Sequence, residues 1–353
     1  MDSTAQNDPT VHTRLNRLGI TFPFMVGPMV GLTHVAFREL IRSYLPANVN
    51  PLLFTEMLST RRLPSERLHE ADALRCAANE RFFVPQLLGN EERFIAPSIQ
   101  KLLSLNPWGF DINMGCPATH LLKHNWGVML MGDKNYAAEV VRMAKRHSPI
   151  PVSVKLRSGG EKSELSYLLD FTDALETAGA DWLTLHCRSQ AQGHNGEADW
   201  EIVKTVARHR GIPVVANGDI QTAQDALFLV RELNVDGAMV GRAATARPWI
   251  LWQIAFHLGI TTERPPLSLE EESHEYFRAC VRFIDLLARY NRDEKYNLKK
   301  FLFFVGVGSK WFLFGHYFWK VMTNAKSLAQ ARELVLQYAQ ENDHPLHKRV
   351  TFH

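Results

Sequence analysis

Cysteine is scarce in this chain, and the little there is lies scattered. The four cysteines among 353 residues, Cys76, Cys116, Cys187 and Cys280, form no C-x-x-C pair, which argues against a zinc or iron–sulfur centre and against a disulfide framework. No metal site is expected, and a reducing, cytoplasmic setting fits best. Long apolar runs are missing too. Nothing is long and apolar enough to span a bilayer, and the polar first twenty residues, with Asp2, Asp8, Arg14 and Arg17, lack the apolar core of a signal peptide. Neither sign of charge dominates: 40 Lys+Arg against 37 Asp+Glu leave a net +3, so whole-chain charge announces no polyanionic partner. The distribution is more telling, because from Arg278 to Lys326 ten Lys/Arg stand against three Asp/Glu.

Short apolar, β-branched runs alternate with longer amphipathic segments between residues 22 and 250, the pattern of βα units around a parallel sheet. Strands are expected at Phe24–Met29, Leu52–Met57, Phe82–Leu87, Gly109–Asn113, Val152–Leu156, Trp182–His186, Val214–Asn217 and Gly237–Val240. Eight such units close a (β/α)8 TIM barrel, although periodicity alone does not separate it from a doubly wound sheet and no sequence repeat decides. Helical spacing marks Ala137–Arg146, Leu165–Ala178 and Ala223–Leu233. The Thr261–Leu269 stretch, with Pro265 and Pro266, reads as a linker. Beyond it Glu271–Tyr290, Leu298–Phe304, Gly315–Met322 and Leu328–Gln340 read as helices without strands. The expected organisation is an N-terminal extension over 1–21, a barrel over 22–260, and a small all-α domain over 261–353 that ends in a loose tail from Lys348.

The run Asp111-Ile-Asn-Met-Gly-Cys-Pro117 is the most informative. An extended segment ends there, Gly115 breaks it and Pro117 fixes the backbone after Cys116. A thiol at a loop mouth can donate a proton, attack as a nucleophile, bind metal or fill space. In a barrel, each strand's C-terminal end faces the active site. Those ends carry Gly27-Pro-Met-Val-Gly31, Gln86 and Gly89, Asn113 and Cys116, Lys155 and Arg157, His186 and Arg188, Asn217-Gly-Asp219, and Gly241-Arg242. Gly218 and Gly241 follow the last two strands, where barrel enzymes commonly bind phosphate, and Arg242 can grip a phosphate with two parallel bonds. Lys155 and Arg157 are expected to alternate along strand five, with at most one facing the interior. His186 suits either a hydrogen-bonded core histidine or a ligand-facing donor.

Pro28-Met29-x-Gly31, Gln86-Leu-Leu-Gly89, Asn113-Met-Gly-Cys-Pro117, Lys155-Leu-Arg157, His186-Cys-Arg188, Asn195-Gly-x-x-Asp-Trp200, Asn217-Gly-Asp-Ile220 and Gly241-Arg242 occur in this order. The set resembles the tRNA-dihydrouridine synthase family over residues 22 to 250. That resemblance implies an FMN-bearing barrel with a helical RNA-binding domain, reducing a uridine to 5,6-dihydrouridine with NADPH as hydride source. It implies that Cys116 is the general acid. Pro28, Met29 and Gln86 would hold the isoalloxazine ring, with Val30 and His186 completing the cofactor pocket and Lys155 near the N1–C2 edge. Asn217, Gly218, Asp219, Gly241 and Arg242 would hold ribityl and phosphate. Asn113 and Arg188 would meet the uracil, while Arg292 and Lys299 would meet the RNA.

Such an enzyme must hold RNA whose target base has left its stack. The basic stretch offers Arg278, Arg282, Arg289, Lys295, Lys300, Lys310 and Lys320 for phosphate and Tyr290, Tyr296 and Trp311 for stacking. Phe301, Phe303, Phe304 and Phe318 are expected in the helical core, and Arg61, Arg62 and Arg67 widen the basic surface. Three departures from the family pattern stand out. Ala118 to Met131 replaces a small-residue, glycine-rich stretch, His34 stands where an acid is common, and Cys187 stands where glycine is. Gly159-Gly160-Glu161 also lacks the usual aromatic-acid continuation. The expected partners are tRNA or another structured RNA, bound by a monomer. A flavin barrel acting on a free pyrimidine or enone, and a flavin-retaining RNA-binding protein without reductase activity, are the alternatives.

Overall fold

Eight parallel strands pair in sequence order, and the last closes on the first, with Met25 of β1 beside Met239 of β8. The computed structural model describes residues 13–78, 80–160, 164–193, 195–341 and 346–351. Most of the N-terminal extension, Glu161 of the Gly159 motif and the last two residues of the tail lie outside them. The strands are β1 (Phe24–Val26), β2 (Leu53–Ser59), β3 (Phe83–Leu88), β4 (Phe110–Met114), β5 (Val152–Arg157), β6 (Trp182–His186), β7 (Val214–Asn217) and β8 (Gly237–Val240). Closure of β1 on β8 excludes the doubly wound sheet. β1 is three residues shorter than expected; Gly27 still donates its N–H to Val240 O of β8 at 2.9 Å, and the chain leaves the sheet after it.

The helices expected from periodicity form as α4 (Lys134–His147), α5 (Leu165–Thr177) and α7 (Ala223–Arg231). The periodicity reading passed over α1 (Val35–Arg42), α2 (Glu92–Leu103), α3 (Thr119–Leu122), α6 (Trp200–His209), α8 (Ala243–Ala246) and α9 (Ile250–His257). Several are only one or two turns long, and α2 carries Pro97 in its interior, so their pattern is short or interrupted.

Side chains alternate across each strand, so every second residue points into the barrel. Near the N-terminal end the interior is apolar: Met25, Phe54, Val84, Trp182, Val215 and Met239 pack together under Leu15 and Ile20. Toward the C-terminal end the same rows turn polar, at Gln86, Asn113, Lys155, His186 and Asn217. Lys155 and Arg157 correct the expectation for strand five. They stand two positions apart, so both face the same way, and both line the interior cavity.

The C-terminal part is helical, with α10 (Leu269–Tyr290), α11 (Glu294–Gly308), α12 (Gly315–Met322) and α13 (Leu328–Glu341). A capping box starts α10, as Ser268 Oγ accepts from Glu271 N at 3.1 Å and Glu271 Oε2 from Ser268 N at 2.9 Å. One turn on, buried Glu272 accepts from Arg247 Nε at 3.0 Å and Gln253 Nε2 at 2.7 Å, tying the helices to the barrel. The tail is not loose over residues 346–351. Arg247 donates to His347 O at 2.7 Å, Val350 N donates to Gln221 Oε1 and Gln221 Nε2 donates back to Val350 O, each at 2.9 Å. Among the described residues no helix is long and apolar enough to cross a membrane.

Candidate active site

A cavity of about 430 Å³ opens at the C-terminal rim. Pro28, Met29, Val30, Gln86, Asn113, Cys116, Lys155, His186, Arg188, Asn217, Gly218, Asp219, Gly241 and Arg242 all line it, although they come from seven different strand ends. Arg292 and Lys299 do not line it; both lie exposed on the helical part. Leu32, Met57, Gln221 and Ala243 line it without having been expected there, and so do Phe303, Val307 and Trp311, which α11 and the turn after it bring to the rim. Trp311 is fully buried and donates to Gln221 Oε1 at 3.1 Å, so it is not the exposed stacking surface expected of it. Phe303 is 46% exposed rather than core, unlike Phe301, Phe304 and Phe318.

Cys116 is placed by a chain of hydrogen bonds that begins on the barrel floor. Buried Asp111 accepts from Ser153 Oγ at 2.5 Å and from Gln86 Nε2 at 2.7 Å. With its amide N–H committed there, Gln86 presents Oε1 to Asn113 Nδ2 at 2.8 Å. Asn113 in turn presents Oδ1 to the backbone N–H groups of Gly115 at 3.1 Å and Cys116 at 3.0 Å. Each amide therefore has one orientation that satisfies both neighbours. Asp111 was not among the expected site residues. The signal for it is an acid in an apolar strand, two positions before Asn113 and so on the same face.

Two further contacts hold the same loop. Arg157 donates to Gly115 O at 2.9 Å and to Ser189 O and Gly193 O across the rim. Gly127, at φ +60°, lies so close to Cys116 O that a Cβ there would stand 2.5 Å away, and Val128 N donates to that oxygen at 3.1 Å. The unusual Ala118 to Met131 stretch is anchored through Trp126, whose Nε1 donates to Asn90 Oδ1 at 2.9 Å. Arg61 lies 5.0 Å over the Trp126 ring and pairs with Glu91, so it braces this loop. Arg62 and Arg67 pair with Glu66 and Glu70 on the surface.

Burial sets the electrostatics. It pushes the Asp111 carboxyl up to about 6, against the opposing hydrogen bonds of Ser153 and Gln86 and the charge of Lys155. It draws Lys155 down to about 8, opposed first by Asp111. The other departures from the family pattern are packing residues. His34 is buried, stacks on Phe283 with ring centres 5.9 Å apart, and is held well below the usual imidazole range by burial, Lys300 and Arg38. Cys187 is fully buried.

After β7 the chain turns through Gly218 at φ +110° and Asp219 at φ +53°. A Cβ on Gly218 would meet His186 at 2.9 Å. Asp219 Oδ2 accepts from Arg188 at 2.7 Å and from Ala198 N at 2.8 Å, while Asn217 Nδ2 donates to Met239 O at 2.7 Å. Among the described residues no group of three or more His, Cys, Asp or Glu side chains is arranged to hold a metal ion.

A parallel eight-stranded barrel whose C-terminal rim holds a cavity lined by titratable and amide side chains among apolar ones defines the class as an α/β-barrel protein built for rim-side chemistry. A family model described as dihydrouridine synthase matches residues 25–311, and the chain belongs to that family. It is 32% identical over 245 residues to a probable tRNA-dihydrouridine synthase 1 of Synechocystis sp., covering 69% of this chain and 65% of that protein. It is 31% identical over 248 residues to tRNA-dihydrouridine synthase B of Pseudomonas aeruginosa, covering 70% and 73%. A probable tRNA-dihydrouridine synthase of Rickettsia bellii is 29% identical over 276 residues, covering 76% and 82%.

Proposed function

We propose that the chain reduces specific uridines of RNA, with tRNA as the substrate class, to 5,6-dihydrouridine. One observation carries this reading: Cys116 shares a single rim cavity with Lys155, His186 and both glycine-bearing loops after β7 and β8. The residues present fit a flavin mononucleotide. A Cβ on Gly241 would meet nothing within 4 Å, and the chain there lacks the positive φ that requires glycine, so the space beside this backbone suits close approach by a phosphate. Arg188 lines the same cavity, and its buried Nη1 has no hydrogen-bond partner among the described residues. The cavity volume falls in the range of cofactor pockets.

Pro28, Met29, Val30 and Gln86 would hold the isoalloxazine ring, with His186 beside it. Asn217, Gly218, Asp219, Gly241 and Arg242 would hold ribityl and phosphate. A flavin held there and reduced by NADPH would supply the hydride for uracil C6. Lys155 would set its positive charge beside a bound ring, where it would favour the ring's reduced form. Asn113 and Arg188 orient the uracil. Cys116 releases its Sγ proton to uracil C5, and the thiolate regains a proton from solvent. Phe303, Val307 and Trp311 keep water from that end of the cavity, while the exposed Arg292 and Lys299 attract RNA phosphates.

The purified protein is expected to be yellow, and Cys116→Ala is expected to keep its flavin while losing most NADPH-driven dihydrouridine formation on a tRNA transcript. Full turnover in that variant excludes the proton-donor role. Reduction of free uracil with no RNA product would turn the reading toward a small-pyrimidine reductase.

A further inference from the structure

From Lys295 to Arg332 the chain carries seven Lys/Arg and no Asp or Glu. Within this stretch the turn after α11 and the face of α12 expose an unusual set of rings: Phe314 at 52%, Tyr317 at 57% and Trp319 at 44%. Their neighbours Phe312 and Phe318 are buried, so the outer rings are not needed to fill the core. Phe314 and Trp319 line a groove of about 440 Å³ together with Lys310, Phe312, His316 and Val350 of the docked C-terminal segment.

Two features set this groove apart from incidental surface. Phe314 holds a left-handed backbone, φ +59°, a conformation unfavourable for a bulky side chain. Its ring is exposed and lies beside His316 and Tyr317, with ring centres 6.3 and 6.2 Å away. The groove also lies beside the rim cavity, since α11 contributes residues to both. Phe303 of α11 lines the cavity and packs over Gly31, where a Cβ would stand 2.9 Å from its ring. Gly306, three residues along the same helix, leaves room for the Trp319 indole, whose Nε1 lies 2.7 Å from where its Cβ would be. One helical turn, roughly 5 Å of rise, therefore separates the two.

We propose that this groove receives an unpaired nucleobase of the RNA, a neighbour of the reacting uridine, stacked among Phe314, His316 and Trp319 with its flanking phosphates on Lys310 and Lys320. The inference rests on the reading that the substrate is RNA. Charge complementarity selects the occupant, since a stretch that contributes Lys310 and Lys320 but no acid of its own, with exposed rings, matches a polyanion that carries bases with π-faces. The rings accept any base, and the lysines supply affinity without sequence preference.

The test uses the full-length flavin-loaded protein, a tRNA transcript and a ten-nucleotide oligouridylate. Phe314→Gly relieves the left-handed strain, so a purely structural phenylalanine and a ligand-binding one part company in this variant. We expect its melting temperature to hold or rise while Kd for both RNAs weakens roughly tenfold, as loss of one stacked base gives. Trp319→Leu is expected to weaken Kd similarly, with kcat at saturating RNA within about twofold of the parent. Lys310→Gln and Lys320→Gln are each expected to lower the slope of log Kd against log salt by about 1. Photocrosslinking with 4-thiouridine RNA, mapped to Phe314, His316 or Trp319, reads the contact independently of any variant. Unchanged RNA affinity in both aromatic variants, or crosslinks confined to other surfaces, overturns the proposal. So does an oligomeric state that changes in Phe314→Gly while RNA affinity does not, which marks a protein–protein face. If the unmodified protein binds RNA through these rings yet forms no dihydrouridine, the catalytic reading fails and the groove stands; turnover with no effect of the variants fails the groove alone.

Discussion

Replacing Asp111 with leucine removes the acceptor on which the whole chain of amides to Cys116 depends. Gln86 loses its 2.7 Å partner and Ser153 its 2.5 Å partner. Hydrogen bonds to a charged group contribute about 1.5–3 kcal/mol each, but the leucine also removes the cost of burying a carboxylate. What persists is a buried amide N–H pair on Gln86 without an acceptor, worth about 1–3 kcal/mol. A destabilisation of about 2–4 kcal/mol is therefore expected in urea unfolding. Released Gln86 can turn over, Asn113 must then turn with it, and its NH2 would face the N–H groups of Gly115 and Cys116 instead of its oxygen. On the proposed mechanism this lowers kcat for dihydrouridine formation at least tenfold with little change in KM for RNA.

Asp111→Asn separates geometry from charge. An asparagine keeps an oxygen toward Gln86 and offers its NH2 to Ser153, whose hydroxyl can rotate to accept. Stability near pH 7 is expected within about 1 kcal/mol of the parent and most turnover is expected to return. The pH dependence carries a sign of its own. Because burial raises the Asp111 pKa to about 6 from 3.8, the folded protein holds this proton more tightly than the unfolded chain. The resulting stability is complete below about 4 and is lost as pH rises through 6, on the order of 3 kcal/mol. The asparagine variant lacks this loss, so the stability difference between the two proteins should slope across pH 4 to 6. If Asp111→Asn is as inactive as Asp111→Leu, charge on Lys155 rather than amide orientation is what matters, and the relay is refuted.

Other outcomes are specific to single contacts. Glu80→Gln leaves Arg38, buried and held at 2.7 Å by that carboxylate, without its counter-charge, which should cost about 3–5 kcal/mol in denaturant unfolding. Arg38 holds the Glu80 carboxyl below its usual value even though burial pulls the other way, so this stability is present above about 4.5 and lost as pH falls through the lower folded value. Gly241→Ala has open space around the new methyl and should leave the melting temperature nearly unchanged while flavin retention in gel filtration drops; Gly218→Ala, at φ +110° and against His186, should lose both. Trp126→Ala removes the Asn90 anchor of the Cys116 loop, and limited proteolysis should show new cleavage between residues 117 and 127 with flavin content preserved.

The barrel was legible because its strands are buried on both faces and read as short apolar runs. The site was legible because a residue at a strand's end is fixed in space by local sequence. That is why fourteen strand-end residues legible in the sequence meet in one cavity. What stayed hidden is what depends on partners far along the chain. Arg157 chooses carbonyls 42, 32 and 36 residues away, and nothing local to Lys155-Leu-Arg157 announces them. The roof of the cavity is less local still. Phe303 and Trp311 reach the rim because the helical part is tied to the barrel at several places, among them Glu272 of α10 on Arg247 and Gln253 and Trp311 on Gln221, barrel residues whose side chains carry no motif. The spacing of Phe301, Phe303 and Phe304 suits a helix buried all round, and only the docked position of α11 turns Phe303 outward. The helical part thus contributes to the site through where it is tied down, and the ties are single buried polar groups within otherwise ordinary amphipathic helices.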